Sequence, residues 1–477
     1  MNLAQLAHRV ELLTEKARQL IAPSPGQKAA PPRVPAALPV LGCALEFGRD
    51  AGAFLHRCQQ RYGDTFTVPV AGKRMTFALN PHDAPSVFKN TEALSFAPIV
   101  VDMTRRVFGI SPQGAKLAGE PVVHEPYKAI KAAELPALNK VMQGKLEGWL
   151  DATVRPDFAE DGLYRFVYRA MFAVTCATIF GDEIYSDEMM EVFQGFDDRF
   201  ALLAAGVPAV LLPGVARQRS FLAQRLAVLR PDASRIHRER DALFRSRVSD
   251  QDRCKNHVGL LWAAQANTIP AAFWSVVFLL ANPAARRAVT AELQAVSAEF
   301  GPPAAGNERF AELGVKKLAL LESSIMEALR LRTGSMTLRE VKKPFTLESA
   351  AGPHYALDCG DYLCLFPYIA HHDPEIFENP DQYQFDRFHS PDGPQRFCKS
   401  GKRLSHPLML FGGGVSMCPG RFMALAEIKL FIAFLLSRCE LELQGSVVPQ
   451  PDLRRAGLGV LTPKSDLRLR YRAISPS

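Results

Sequence analysis

The nine cysteines of this 477-residue chain never stand as Cys-x-x-Cys, and no regular spacing links them. An odd, scattered set of this kind excludes a disulfide framework and predicts free thiols in a reducing compartment. No Lys/Arg run is interleaved with aromatics, so nucleic acid is not an expected partner. No Gly-x-Ser-x-Gly elbow, P-loop or dinucleotide fingerprint follows a strand-like run. The chain therefore has no flavin or nicotinamide site of its own, and any electrons it uses must come from a separate protein. Internal repeats and low-complexity linkers are absent too.

What is present is an ordinary globular balance, 48% hydrophobic and 22% charged residues, enough to bury a core around a large flat cofactor. Length alone would suggest about three domains, yet nothing punctuates the body into three. The net charge of +8 reads as a solvated basic surface, or as one that meets an acidic protein partner or an anionic membrane. Residues 3–22 thread Arg9, Glu11, Glu15, Lys16 and Arg18 through an apolar stripe. This predicts an amphipathic leader over residues 1–30, packed on the body in preference to lying on a membrane, and no transmembrane anchor. The expectation is a monomeric cytoplasmic protein, at most peripheral to a membrane.

The proline-rich stretch Pro31–Pro39 is a stiff extended connector into a single domain over residues 31–477. Strands are predicted at Asp64–Val70 and Arg74–Leu79, and again at Phe345–Leu347, His354–Leu357 and Tyr362–Phe366. From Pro81 to Leu331 the periodicity is almost wholly helical. The fold class is mainly α with a minor β-sheet. Val258–Leu280 has no charged residue and is long enough to cross a bilayer, but Gln265, Asn267, Thr268 and Pro270 cluster at its centre. It is better read as a buried central helix. Pro270 has no N–H for the carbonyl of Ala266, so the helix must open beside Asn267, leaving a polar notch where something small can bind.

The strongest chemical signal is Phe411-Gly412-Gly413-Gly414-Val415-Ser416-Met417-Cys418-Pro419-Gly420-Arg421, leading into the apolar run Phe422–Leu436. Glycines let a backbone pass close under a flat ligand. Cys418 stands at the entrance of a helix, where the dipole and free N–H groups are expected to lower the thiol pKa and hold a thiolate. A structural cysteine in a glycine loop is the bland alternative. The complete pattern Phe-x-x-Gly-x-x-x-Cys-x-Gly before an apolar helix favours an iron ligand.

This segment resembles the haem-binding loop of the cytochrome P-450 family, and other landmarks of that family follow in order. Glu327-Ala328-Leu329-Arg330 is similar to its Glu-x-x-Arg, a weak pattern alone because Glu15–Arg18 and Glu46–Arg49 also match. Phe385-Asp386-Arg387-Phe388 is similar to its arginine-bearing meander, which implies a buried ionic triad of Glu327, Arg330 and Arg387. Within the family, Pro39–Gly48, Leu261–Trp274 and Arg455–Leu461 closely resemble stretches of the cholesterol 7-alpha-hydroxylases, with weaker similarity to the oxysterol 7-alpha-hydroxylases and prostacyclin synthases. The resemblance implies haem b with Cys418 as axial thiolate, and Phe411, Gly412, Gly414 and Gly420 shaping its cradle.

Departures are informative. Most of the family carry an acid and a threonine where Ala266 and Asn267 stand, with Thr268 next in line. The sterol 7-hydroxylases and prostacyclin synthase share the asparagine. An amide donates a hydrogen bond to an oxygen but does not readily pass protons. Ser416 replaces the usual Arg or His before the ligand, and the family's Trp-x-x-x-Arg is missing. Tyr127-x-x-x-Lys131, at the same helical spacing, and Arg339 are the candidate propionate partners. His371, His372 and His406 lack zinc-ligand spacing and read as surface or capping residues.

By resemblance, substrate meets Val100, Val101, Trp262, Ala263, Ser335, Met336, Thr337, Leu338, Leu458 and Leu461. That is a largely apolar set suited to a steroid or similar lipid. The reading is a haem-thiolate monooxygenase using dioxygen at the Ala266/Asn267 notch and electrons from a ferredoxin or flavodoxin-like donor. The alternatives are a haem-thiolate isomerase or dehydratase of lipid peroxides, and a haem-binding sensor.

Overall fold

The computed structural model describes residues 29–350, 352–390, 395–445 and 447–474. The leader helix expected over residues 3–22 lies outside the described residues. The chain packs as two compact units.

The smaller unit holds residues up to Ser95, Thr337–Phe366 and Leu404–His406. Its five-stranded sheet runs in the order Thr65–Val70, Lys73–Ala78, Tyr362–Leu365, Thr337–Val341, Leu94–Ser95. All neighbours are antiparallel except Lys73–Ala78 beside Tyr362–Leu365. The first hairpin turns on Ala71 and Gly72, both with positive φ, which suits the right-handed twist of the strands it joins. Helix Ala51–Tyr62, capped by the Asp50 carboxylate accepting from Ala53 N–H at 2.9 Å, buries Phe54, Leu55 and Cys58. The proline-rich stretch is not a free connector. Thr67 N–H donates to Pro32 O at 2.8 Å and Val34 N–H to Thr67 O at 2.9 Å, so it lies along an edge strand, where proline is tolerated.

The larger unit is helical. Leu135–Thr153, Leu163–Phe180, Thr268–Ala281, Ala319–Arg332 and Arg421–Arg438 pack around one apolar core. A three-stranded antiparallel sheet of Cys439–Gln444, Arg468–Ala473 and Ala159–Gly162 lies in the same unit.

The central helix runs Asp250–Gln265, breaks at Ala266 and Asn267, and resumes as Thr268–Ala281. Ser249 caps its start by accepting from Asp252 N–H at 3.2 Å. The break falls where Pro270 removes the partner of the Ala266 carbonyl. Ala266 N–H still reaches Trp262 O at 2.9 Å and Ala271 N–H reaches Asn267 O at 3.0 Å, so the interruption is confined to one turn. Among the described residues, Leu163–Phe180 and Asp250–Ala281 are long and apolar enough to cross a membrane, and 78% of each apolar stretch is buried inside the fold.

Candidate active site

The cysteine loop is closed by Cys418 N–H donating to Phe411 O at 2.9 Å and Met417 N–H to Gly414 O at 3.1 Å. Gly412 and Gly414 have φ of +72° and +64°, a region that a Cβ disfavours. A Cβ on Gly412 would find nothing closer than 3.9 Å. Backbone angle, and not lack of room within the protein, therefore explains the glycine at 412. Gly420 is the N-cap residue of the buried helix Arg421–Arg438, and its added Cβ would lie 3.9 Å from both the Cys418 sulfur and Ile130.

Cys418 is exposed on one side while protein crowds it on the others. Burial pushes its thiol above the ordinary value, opposed by the N–H groups of Gly420 and Arg421 and by the Arg421 guanidinium. The expected lowering by the helix start is present but outweighed, because desolvation of a thiolate costs more than two N–H groups return. A cation facing the sulfur is what would tip this balance to thiolate. Among the described residues no three His, Cys, Asp or Glu side chains gather to hold a metal. A single sulfur donor suits a metal that brings its remaining ligands with it, as iron in a porphyrin does.

The central helix supplies a second face. Trp262 is half-buried, Ala263 exposed, Ala266 buried and Asn267 half-buried, with Thr268 buried behind them. Ala263 and Asn267 are four apart and share a stripe, so the accessible side of Ala263 and that of Asn267 lie on one face of the helix. Asn267 Oδ1 accepts from Val460 N–H at 2.9 Å. Trp262 donates from Nε1 to Asp197 Oδ1 at 2.8 Å and stacks on Phe200, ring centres 3.8 Å apart. Arg455 pairs with Asp197 at 3.1 Å. Sequence reasoning missed Asp197 and Phe200. They lie more than sixty residues before Trp262, and no local pattern links the two.

The segment carrying Leu458 and Leu461 is stapled to the end of helix Ala319–Arg332. Leu461 N–H donates to Arg332 O at 2.9 Å, and Ser335 bridges Gly457. Trp274 Nε1 donates to Leu461 O at 2.6 Å. Leu461 is fully buried and Leu458 half-buried, while a Cβ on Gly457 would lie 4.0 Å from Met336. Val100 and Val101 are half-buried on helix Ala97–Phe108. Thr337, Leu338 and Arg339 begin the strand Thr337–Val341 of the smaller unit. Arg339 is buried, which lowers its pKa, and donates to Leu338 O at 2.8 Å.

Tyr127 and Lys131 do not share an α-helical face, contrary to the spacing argument. Pro121–Ile130 winds as a 3-10 helix with Pro126 inside it, and Lys131 ends it in extended conformation. At three residues per turn, positions four apart diverge by roughly a third of a circle. The Tyr127 hydroxyl instead accepts from Arg240 Nη1 at 3.1 Å, under the same guanidinium at 5.4 Å from its ring. Lys131 is exposed.

Glu327, Arg330 and Arg387 come together. Arg330 Nε lies 2.7 Å and Nη2 2.9 Å from the Glu327 carboxylate, and Arg387 Nε lies 3.0 Å from it. All three are buried. Arg330 also donates to the carbonyl of His371, whose ring accepts from Met409 N–H at 3.3 Å. His371 is thus a core residue and not a surface one.

The family model for cytochrome P450 matches residues 32–216 and 215–470. Mouse cytochrome P450 7B1 is 33% identical over 465 residues, 93% of this chain and 91% of that protein. Human 7-alpha-hydroxycholest-4-en-3-one 12-alpha-hydroxylase is 33% identical over 473 residues, 93% of each chain. Rat prostacyclin synthase is 31% identical over 480 residues, again 93% of each. With a full-length family match and a lone cysteine donor at the mouth of a buried helix, the chain belongs to the cytochrome P450 family.

Proposed function

We propose that the protein is a haem-thiolate monooxygenase that hydroxylates a sterol- or steroid-like lipid with dioxygen and electrons from a separate protein. The observation that carries this reading is Cys418, a single sulfur donor in a loop closed by its own N–H on Phe411 O, at the start of the buried helix Arg421–Arg438. Haem bound there supplies dioxygen and one-electron chemistry, the thiolate pushing electron density toward the iron. The chain's own residues bind and orient. Trp262, stacked on Phe200 and tied to Asp197, makes a flat rigid wall beside the accessible Ala263. A planar apolar substrate lies well against such a surface. Likeness over 93% of the chain to proteins named 7-alpha-hydroxycholest-4-en-3-one 12-alpha-hydroxylase and cholesterol 7-alpha-monooxygenase supports this substrate class. The nine cysteines are all unpaired, which fits the reducing cytoplasm.

One observation favours a second reading, isomerisation of a lipid peroxide without reductant. Ala266 and Asn267 supply neither an acid nor a hydroxyl for passing protons, and prostacyclin synthase is among the relatives. The two readings part on the source of oxygen. The monooxygenase forms product only with a reductant and incorporates label from ¹⁸O₂. We expect label in a hydroxylated steroid; unlabelled conversion of a lipid endoperoxide with no electron donor would overturn the reading.

The electron donor we propose is an acidic ferredoxin or flavodoxin-like protein. The hairpin Cys398–Lys399/Lys402–Arg403 turns on Ser400 and Gly401 and exposes Lys402 and Arg403. Arg421 is half-buried, donates to Cys418 O at 3.0 Å and stacks on Phe422 at 4.1 Å. Reduction by an acidic donor should slow as salt rises over the range where exposed charges are screened. Lys402→Glu with Arg403→Glu should reduce both the rate and its salt slope; a rate flat in ionic strength counts against electrostatic docking.

A further inference from the structure

Asn267 has a side chain whose two ends differ, and the structure fixes which end points where. The loop facing it is held independently. Gly334 N–H donates to Gly459 O at 2.9 Å, Gly457 N–H donates to Gly334 O at 2.6 Å, and Leu461 is tied on both its backbone groups. Against this frame the Val460 N–H points at Asn267 Oδ1, 2.9 Å away. An amide turned the other way would set N–H against N–H and leave both unsatisfied, at the cost of a lost hydrogen bond. Nδ2 donates to no group among the described residues.

Gly459 makes the approach possible on two grounds. Its φ is +137°, which only glycine adopts readily, and a Cβ there would fall 2.0 Å from Asn267 Oδ1 and 2.7 Å from its Cγ. The break at Ala266 and Asn267 thus meets a residue that leaves it room.

We propose that Val460 N–H, reached across Gly459, is the positioning element that fixes the polarity of the Asn267 amide. Asn267 then turns its Nδ2 hydrogen-bond donor toward the pocket while Oδ1 is engaged by the loop. It holds an oxygen-bearing ligand by Nδ2–H, and any proton must arrive through water. This rests on the monooxygenase reading for its catalytic consequence, while the anchoring stands on geometry alone.

Two substitutions separate the anchor from the donor. Asn267→Asp at pH 8 keeps an oxygen for Val460 N–H and loses the donor; Asn267→Leu loses both. In the haem-loaded protein, hydrogen exchange at Val460 should stay near wild type in Asn267→Asp. It should quicken about tenfold in Asn267→Leu, the weight of one net hydrogen bond. Peroxide released per reductant spent should rise in both. Gly459→Ala should quicken Val460 exchange as Asn267→Leu does; should it fail to fold, the Asn267 pair still decides. Unchanged Val460 exchange in Asn267→Leu would overturn the anchor, and full coupling in Asn267→Asp would overturn the donor. If the wild-type protein spends no reductant, the monooxygenase reading falls, and the exchange comparison still tests the anchor.

Discussion

Replacing Cys418 by serine should abolish the red-shifted absorption band of the ferrous carbon monoxide complex, while serine at Cys43, Cys359 or Cys364 should leave it. The band reports a thiolate opposite the carbon monoxide. A serine hydroxyl titrates far above any thiol and gives no comparable donor at neutral pH. The three controls belong to the smaller unit, Cys43 and Cys364 buried and Cys359 exposed. Burial pushes the Cys364 thiol well above its ordinary value, so it stays a neutral core side chain. The loss in Cys418→Ser should be complete and not graded, because no second thiol lies in the 411–421 loop. Spectra are compared at equal folded protein, judged by circular dichroism. A band retained in Cys418→Ser would move the ligand elsewhere and take the proposed chemistry with it.

The parts legible in the sequence are those whose cause is local. Pro270 breaks the central helix through covalent chemistry alone, and the break sits where that chemistry puts it. The positive φ of Gly412 and Gly414 is likewise a property of the loop's own backbone. Strands Cys439–Gln444 and Arg468–Ala473 alternate buried and half-buried or exposed positions. That period of two is visible in the letters, but a reading led by the apolar helix before them passes over it. Asp197, Phe200 and Val460 were not legible as partners of Trp262 and Asn267. Their contacts close over 62 to 193 residues, and nothing within either segment encodes the other. Tyr127 and Lys131 show the opposite failure: a correct spacing carries no meaning once Pro126 changes the winding. The thiol of Cys418 shows a third. A helix start lowers a pKa only as far as burial permits, and burial is a property of the whole fold.

Glu327→Ala should cost stability before it costs chemistry. The Glu327 carboxylate is fully buried and accepts from Arg330 Nε and Nη2, from Arg387 Nε, and from Gln384 N–H at 3.2 Å. Arg330 and Arg387 are themselves buried. Truncation leaves two guanidiniums desolvated without their counter-charge, an expected loss of about 3–5 kcal/mol. The pair would not refill its bonds elsewhere. Arg330 keeps only the His371 carbonyl and its stack on Phe377, and Arg387 keeps the Glu378 carbonyl at 2.8 Å and that of Gln382 at 3.5 Å. Because a folded domain holds only about 5–15 kcal/mol in reserve, such a loss should show as a much lower urea midpoint and a poor yield of haem-loaded protein. Glu327→Gln keeps the shape and one acceptor oxygen but turns an amide N–H toward a guanidinium. It should fall between wild type and alanine. Arg387→Lys, which keeps the charge but cannot reproduce the planar fork, should cost less than Glu327→Ala and more than a surface change. The molecules that do fold in each variant should turn over at a rate close to wild type, since the triad holds the larger unit together and touches no substrate. A Glu327→Ala protein with an unchanged urea midpoint and only slower turnover would show that the cluster acts in the chemistry and not in the fold.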